Sequence, residues 1–284
     1  MSRWLRALVF VAVASSGCKS TALSPPVHTE KVRVVAVDVA PALPEAEDDE
    51  PAAAFLHRGD VVQTQRELAR LAWHGQLEGS PAKRDAEVLE IKRAHRGALV
   101  YGFANDFVEA TAPVTAHYCR NVPKELSFAG QRCDDVVQRL LLGGDASLAF
   151  VPCGSGKCPL ARAAGATVVW TAIDGLSDLH LRKLGGRDVL IATVRWVRTT
   201  SKTGGSLLVL SPAAGLPKLG EVQLDEIDSS GPRVLNRLGA ISFGPDTLSF
   251  KGTRREVEAS TGKELTSAVV DETFALDGDR LVRR

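Results

Sequence analysis

The residues able to do chemistry are few in this chain and widely spaced. Cys119, Cys133, Cys153 and Cys158 are separated by thirteen, nineteen and four residues. A four-cysteine zinc centre requires paired Cys-x2-Cys ligands, which these spacings do not supply. Cys153 to Cys158 also misses the Cys-x-x-Cys pattern of a redox pair, and no strand-then-helix context surrounds it. His117 lies two residues from Cys119 and shares a strand face with it, which does not oblige the two to touch. Gly154-Ser155-Gly156-Lys157-Cys158 lacks both ends of a phosphate loop, because Val151 stands where the first glycine belongs and Cys158 replaces Ser or Thr. Neither G-x-S-x-G nor H-E-x-x-H occurs. Glu87 with Glu90, or Asp225, Glu226 and Asp228, have the types for an acid and base pair of a glycan hydrolase. Such clusters are more often solvated faces. Trp170 and Trp196 sit in apolar runs, where core packing is the expected use. No catalytic residue, metal ligand or cofactor is assigned on these grounds.

The strongest signal is at the amino terminus. Arg3 and Arg6 precede eight apolar residues, Ala7 to Ala14, and small residues Ser15-Ser16-Gly17 then lead into Cys18. This is the layout of a secretory signal, and the apolar run is too short for a membrane-spanning helix of about 20 residues. With a cysteine after the small residues, the segment resembles a bacterial lipoprotein signal with its lipobox, although Ser15 stands where such signals usually carry Leu. The resemblance covers Met1 to about Ser20. It implies cleavage after Gly17, diacylation of the Cys18 thiol and acylation of the new amino terminus. Lys19 after the cysteine, by similarity to sorting in Gram-negative lipoproteins, implies the outer membrane. In an exported chain the four remaining cysteines read as disulfides, and pairing Cys119 with Cys133 and Cys153 with Cys158 closes the shortest loops.

Loss of residues 1–17 removes two arginines and leaves 33 basic against 34 acidic side chains, a net charge of −1. Nucleic acid is therefore not an expected partner. The only methionine is the initiator, which leaves no methionine-rich surface.

Four segments follow from the elements that must position these residues. Residues 1–17 are the signal, and 18–54 an acidic, proline-rich tether with one possible strand over Lys31 to Ala40. Residues 55–145 read as mixed α/β. Asp60 to His74 has mostly helical spacing with Asp60 as N-cap, which is also the better use of the Asp in Arg58-Gly59-Asp60. Val136 to Leu142 reads as a second helix, capped by Asp134 or Asp135 and ended by Gly143-Gly144. Between them, Glu87 to Phe103 reads as a hairpin about His95-Arg96-Gly97, and Phe107 to Tyr118 as a strand interrupted by Pro113. Residues 146–284 carry short β runs divided by Gly, Pro, Asp and Ser, with turns at Phe243-Gly244-Pro245-Asp246 and Asp277-Gly278.

The expected fold is mainly β with one or two helices, antiparallel, with a meander, partial propeller, sandwich or open barrel all open. Glu256 to Thr266 resembles a turn of pyrroloquinoline-quinone-type propeller blades. Asp178 to Val194 resembles an FG-GAP blade, but Leu181, Lys183 and Gly185 occupy the places of its calcium-binding aspartates, so calcium is not expected to bind. The function expected is a non-catalytic envelope lipoprotein, held to the bilayer through acylated Cys18, with a binding or accessory role toward an envelope protein or glycan. The alternative is an envelope hydrolase using a carboxylate pair on peptidoglycan or polysaccharide.

Overall fold

The computed structural model describes residues 31–47, 51–92, 99–110, 118–120, 122–123, 126, 133, 137–143, 146–165 and 167–284. About three quarters of them are antiparallel strand. The first sheet has the order β6-β5-β4-β1-β7, built from β1 (Lys31–Val35), β4 (Val61–Leu77), β5 (Ser80–Lys92), β6 (Leu99–Phe103) and β7 (Phe107–Glu109). β2 (Val39–Ala42) and β3 (Ala54–His57) pair with each other. They supply Ala40, Ala42 and Leu56 to a core completed by Val35, Val62, Leu89, Ile91, Val100 and Phe107 of the first sheet. A second small core gathers around Trp73, which is fully buried with Leu43, Val88 and Phe103.

The second sheet, β11-β10-β9-β8, contains β8 (Gln138–Gly143), β9 (Ala146–Phe150), β10 (Lys157–Ala164) and β11 (Thr167–Asp174). The third is an eight-stranded meander in strict chain order: β12 (Leu176–Leu184), β13 (Arg187–Thr199), β14 (Lys202–Leu210), β15 (Lys218–Asp228), β16 (Arg233–Phe243), β17 (Thr247–Glu258), β18 (Glu264–Asp277) and β19 (Arg280–Arg283). β13 explains the near-continuous apolar run Val189 to Val194, because both its faces are covered. Leu190, Ala192 and Val194 pack on Leu148, Phe150 and Leu160 of the second sheet. Val189 and Ile191 point into another core with Leu207, Val222, Leu248 and Phe250. That core exists because the sheet curls. β15 and β16 pair only over Glu226–Asp228 with Leu235–Arg237, so the rest of β15 is free to diverge, and Leu281 of β19 comes to lie against Gly220 of β15. The curl stops short of a closed barrel. The two propeller-like fragments are the β12–β13 hairpin and the β17–β18 connection of this single sheet.

Several expectations need correction. Asp60 to His74 is not a helix. Val61 to Leu77 is the longest strand, paired with β5 down to Leu77↔Ser80. Residues 137–142 are not a second helix either; Gln138–Gly143 pairs with β9, while Asp134, Asp135 and Gly144 lie outside the described residues. Among the described residues of 55–145, the mixed α/β reading gives way mostly to strands, with 3-10 turns at Ala104–Asp106 and Tyr118–Arg120. The expected strand within Lys31 to Ala40 forms as β1 and the start of β2, but the tether reading of 18–54 is too long, since Ala40, Ala42 and Leu43 are wholly buried. The expected hairpins do form. Lys92 pairs with Leu99 and Val88 with Phe103, Phe243 pairs with Leu248 and Asp277 with Arg280. Residues 95–97 and Pro113 lie outside the described residues.

Candidate functional site at the junction of two sheets

The richest gathering of ionisable side chains lies where β3 and the β4–β5 turn meet β12. Three local features create it. At the end of β3, the His57 amide donates to the Asp60 carboxylate at 2.8 Å and the Asp60 amide donates to the His57 carbonyl at 2.9 Å, so Asp60 caps a tight turn rather than a helix. The β4–β5 hairpin turns on Glu78 (φ 48°) and Gly79 (φ 84°), the two positive φ angles of a type I′ turn. A glutamate in that left-handed conformation is uncommon, and its carboxylate is what reaches β12. On β12 the strand period of two sends Leu179 and Leu181 into the core and puts Asp178, His180 and Arg182 together on the other side.

The His57 and His180 rings stack with centroids 4.1 Å apart and planes 17° from parallel. His57 Nε2 lies 3.6 Å from Glu78 Oε1, and the same carboxylate accepts from Arg182. His180 Nδ1 is 3.2 Å from Asp178 Oδ2. Its Nε2 is buried with no hydrogen-bond partner among the described residues, on a side chain only 9% exposed. The Arg182 guanidinium lies 4.9 Å from the centre of the Phe243 ring. Arg58, next to His57, spans Asp38 at 3.1 Å and Asp188 of β13 at 2.7 Å. A cavity of about 430 Å³ opens beside the cluster, lined by Asp38, Arg182, Lys183, Phe243, Pro245 and Asp246 among others.

Burial works against charge on His180 and holds its pKa below the usual histidine range, with Asp178 opposing the shift. Burial pushes the Glu78 carboxyl up, but His57 and Arg182 together outweigh it and leave the pKa lowered. At Asp178 the same contest between burial and its His180 partner also ends below the ordinary aspartate value. Both carboxylates are therefore ionised at neutral pH. Arg182 and the two histidines face them, while Arg58 pairs with Asp38 and Asp188. Such a set can recognise a polar ligand or hold two sheets together. Among the described residues, no group of three or more His, Cys, Asp or Glu side chains could hold a metal ion.

The residues singled out in the sequence lie elsewhere. Cys119 is bonded to Cys133, and Cys153 to Cys158, the pairing that closes the shortest loops. Gly154-Ser155-Gly156-Lys157 is the arch between the second pair, with Gly154 and Gly156 both at φ 68°. Cys18 and His117 lie outside the described residues. Glu90 is buried and held by Arg66 Nη2 at 2.8 Å, whereas Glu87 is exposed. Asp225 is engaged by Arg195 at 2.7 Å. Glu226 and Asp228 share Lys202, each at 2.9 Å, and Ser230 and Lys202 lower Asp228 to about 2. Trp170 packs with the Tyr118 core. Trp196 donates to Ser206 Oγ at 3.1 Å beneath the Arg198 guanidinium. Of the carboxylate candidates, the structure brings only Glu226 and Asp228 together, on Lys202. The junction was legible only as the alternation Asp178-x-His180-x-Arg182 and the Glu78-Gly79 turn signal, and neither names its partner across the fold.

No family model, curated protein or solved structure matches the chain.

Proposed function

We propose that the chain is a non-catalytic lipoprotein of the outer membrane, held to the bilayer through acylated Cys18, whose β-rich body has a binding or accessory role toward an envelope protein or glycan. The observation that carries this reading is the run of eight apolar residues followed by Ser15-Ser16-Gly17-Cys18. The two bonded cysteine pairs support export, since disulfides persist in oxidising compartments. Two or more acyl chains anchor stably, with each buried methylene contributing about 0.8 kcal/mol. The hydrolase alternative has little support, because Glu90, Asp225, Glu226 and Asp228 are each engaged by a base.

The test is metabolic labelling with a clickable fatty acid in a Gram-negative host, followed by membrane fractionation. The native chain should take up label and sediment with the outer membrane, whereas Cys18→Ser should be unlabelled. Equal label in both forms, or none in the native chain, would refute the anchor.

A further inference from the structure

The contact between the amino-terminal strands and the eight-stranded sheet is made at its centre by two imidazoles lying face to face, one from each side. The charges nearest them are paired. From β12 come Asp178 and Arg182, from the β4–β5 turn Glu78, and from the end of β3 Arg58, which is paired with Asp38 and with Asp188 of β13. Lys183 also leans on Asp188 at 3.5 Å. The β16–β17 turn contributes the edge of Phe243 against His180, with centroids 6.4 Å apart, and Asp246 lines the adjoining cavity.

We propose that this histidine stack is a proton-sensitive latch. With His180 neutral it holds β3 and the β4–β5 turn against β12; a proton on His180 loosens that junction and opens the cavity beside Arg182 and Phe243.

The geometry gives the direction. Neutral His180 uses its Nδ1 hydrogen on Asp178 and keeps a bare lone pair at Nε2, which costs little when buried. A second proton must go to Nε2, where no acceptor is present among the described residues and the His57 ring lies at stacking distance. A buried donor without an acceptor is the costly case, and two stacked rings cannot both take a proton without repulsion. Because burial holds His180 below the ordinary histidine pKa of about 6.5, its contribution is fully present above that value. It is lost as pH falls through the folded-state pKa. Glu78 and Asp178 are both held below the ordinary carboxylate range by these same partners.

The test is amide hydrogen exchange on the whole purified protein at about pH 7.5 and about pH 5, expressed as protection factors corrected for intrinsic rates. Protection in Ala54–His57 and Leu176–Leu184 should fall about tenfold or more at the lower pH, while β16 to β18 keep theirs. His180→Gln should remove the pH dependence, and His57→Gln should reduce it. Should His180→Gln fail to fold, the side-chain NMR titration of native His180 must track the loss of protection. Equal losses in β16 to β18, unchanged pH dependence in a folded His180→Gln, or a His180 titration that does not follow the protection would each overturn the latch.

Discussion

Gly175, between β11 and β12, offers the sharpest test of how the structure holds together. Its φ is +66°, and a Cβ placed on it would lie 1.6 Å from the Arg195 carbonyl oxygen, a backbone atom that cannot rotate away. Its amide donates to the Gly156 carbonyl at 2.7 Å and its carbonyl accepts from the Arg195 amide at 2.8 Å. Gly175→Ala must therefore place an L residue in the left-handed region, at about 1–2 kcal/mol, and push β12 from β13. That movement breaks both hydrogen bonds, worth about 0.5–1.5 kcal/mol each. The total is about 2–5 kcal/mol, or a melting point lower by about 10 °C for a chain of this size. Gly185 is the control. Its φ is +59°, yet nothing lies within 4 Å of the added carbon, so Gly185→Ala should cost only about 1–2 kcal/mol. Urea unfolding followed by tryptophan fluorescence separates the two. If the variants fall within about 1 kcal/mol of each other, the close approach of Arg195 to Gly175 does not constrain the fold and the reasoning fails.

Three further expectations concern buried charge and the disulfides. Asp106 is buried and its pKa is raised by that burial, with the Arg84 guanidinium at 2.8 Å pulling it back. The energetic advantage of its neutral form is thus fully present below the unfolded aspartate pKa and is lost as pH rises through the folded one. Removing the cation in Arg84→Met should raise that pKa further, costing about 3 kcal/mol at pH 7 and clearly less near pH 3.5. Equal urea midpoint shifts at the two pH values would contradict the pairing. The Cys119–Cys133 link spans 14 positions, and Cys119→Ala with Cys133→Ala should cost about 3 kcal/mol. Of the two links, Cys153–Cys158 should yield first to a reductant, because Cys153 is exposed. Mass spectrometry of timed alkylation reads the order.

The carboxy-terminal half was open to reading because its strands alternate cleanly and its turns carry their own signatures, as Gly244-Pro245-Asp246 and Asp277-Gly278 do. β4 was hidden for a definite physical reason. Its register shifts between Thr64 and Arg66 and again between Glu67 and Arg70, and each bulge adds a residue that breaks the period of two. The apolar positions Leu68 and Leu71 then fall three apart, as in a helix, within a stretch rich in helix-forming Gln, Arg, Glu, Leu and Ala. Pairing with β5 overrides that local preference. At β8 the error came from Gly143. Its φ of +109° serves a hairpin exit, and a helix end makes the same demand for a left-handed residue. The tether was misjudged because Ala40, Ala42 and Leu43 are small or isolated apolar residues among prolines and acids, and only the facing sheet reveals that they fill a core. The junction site could be read only as separate fragments, since Glu78 and Arg182 are 104 positions apart.

The exposed edges of the sheets have a bearing on self-association. The longest strands, β4 and β18, are interior in their sheets, and the edges β7 and β19 have three and four residues, the latter bearing Arg280 and Arg283. Short, charged edges discourage strand-to-strand growth between molecules. β12, a nine-residue edge, and β11, an eight-residue one, are longer. One end of β12 is guarded by the Cys153 and Gly154 amides, which donate to the Leu176 carbonyl at 2.9 and 3.1 Å. The other carries the side chains gripped by His57 and Glu78. Releasing that grip would uncover the longest edge of the eight-stranded sheet, so acid-induced oligomers that keep their β content, rather than unfolded chains, are the first species expected when the purified protein is acidified.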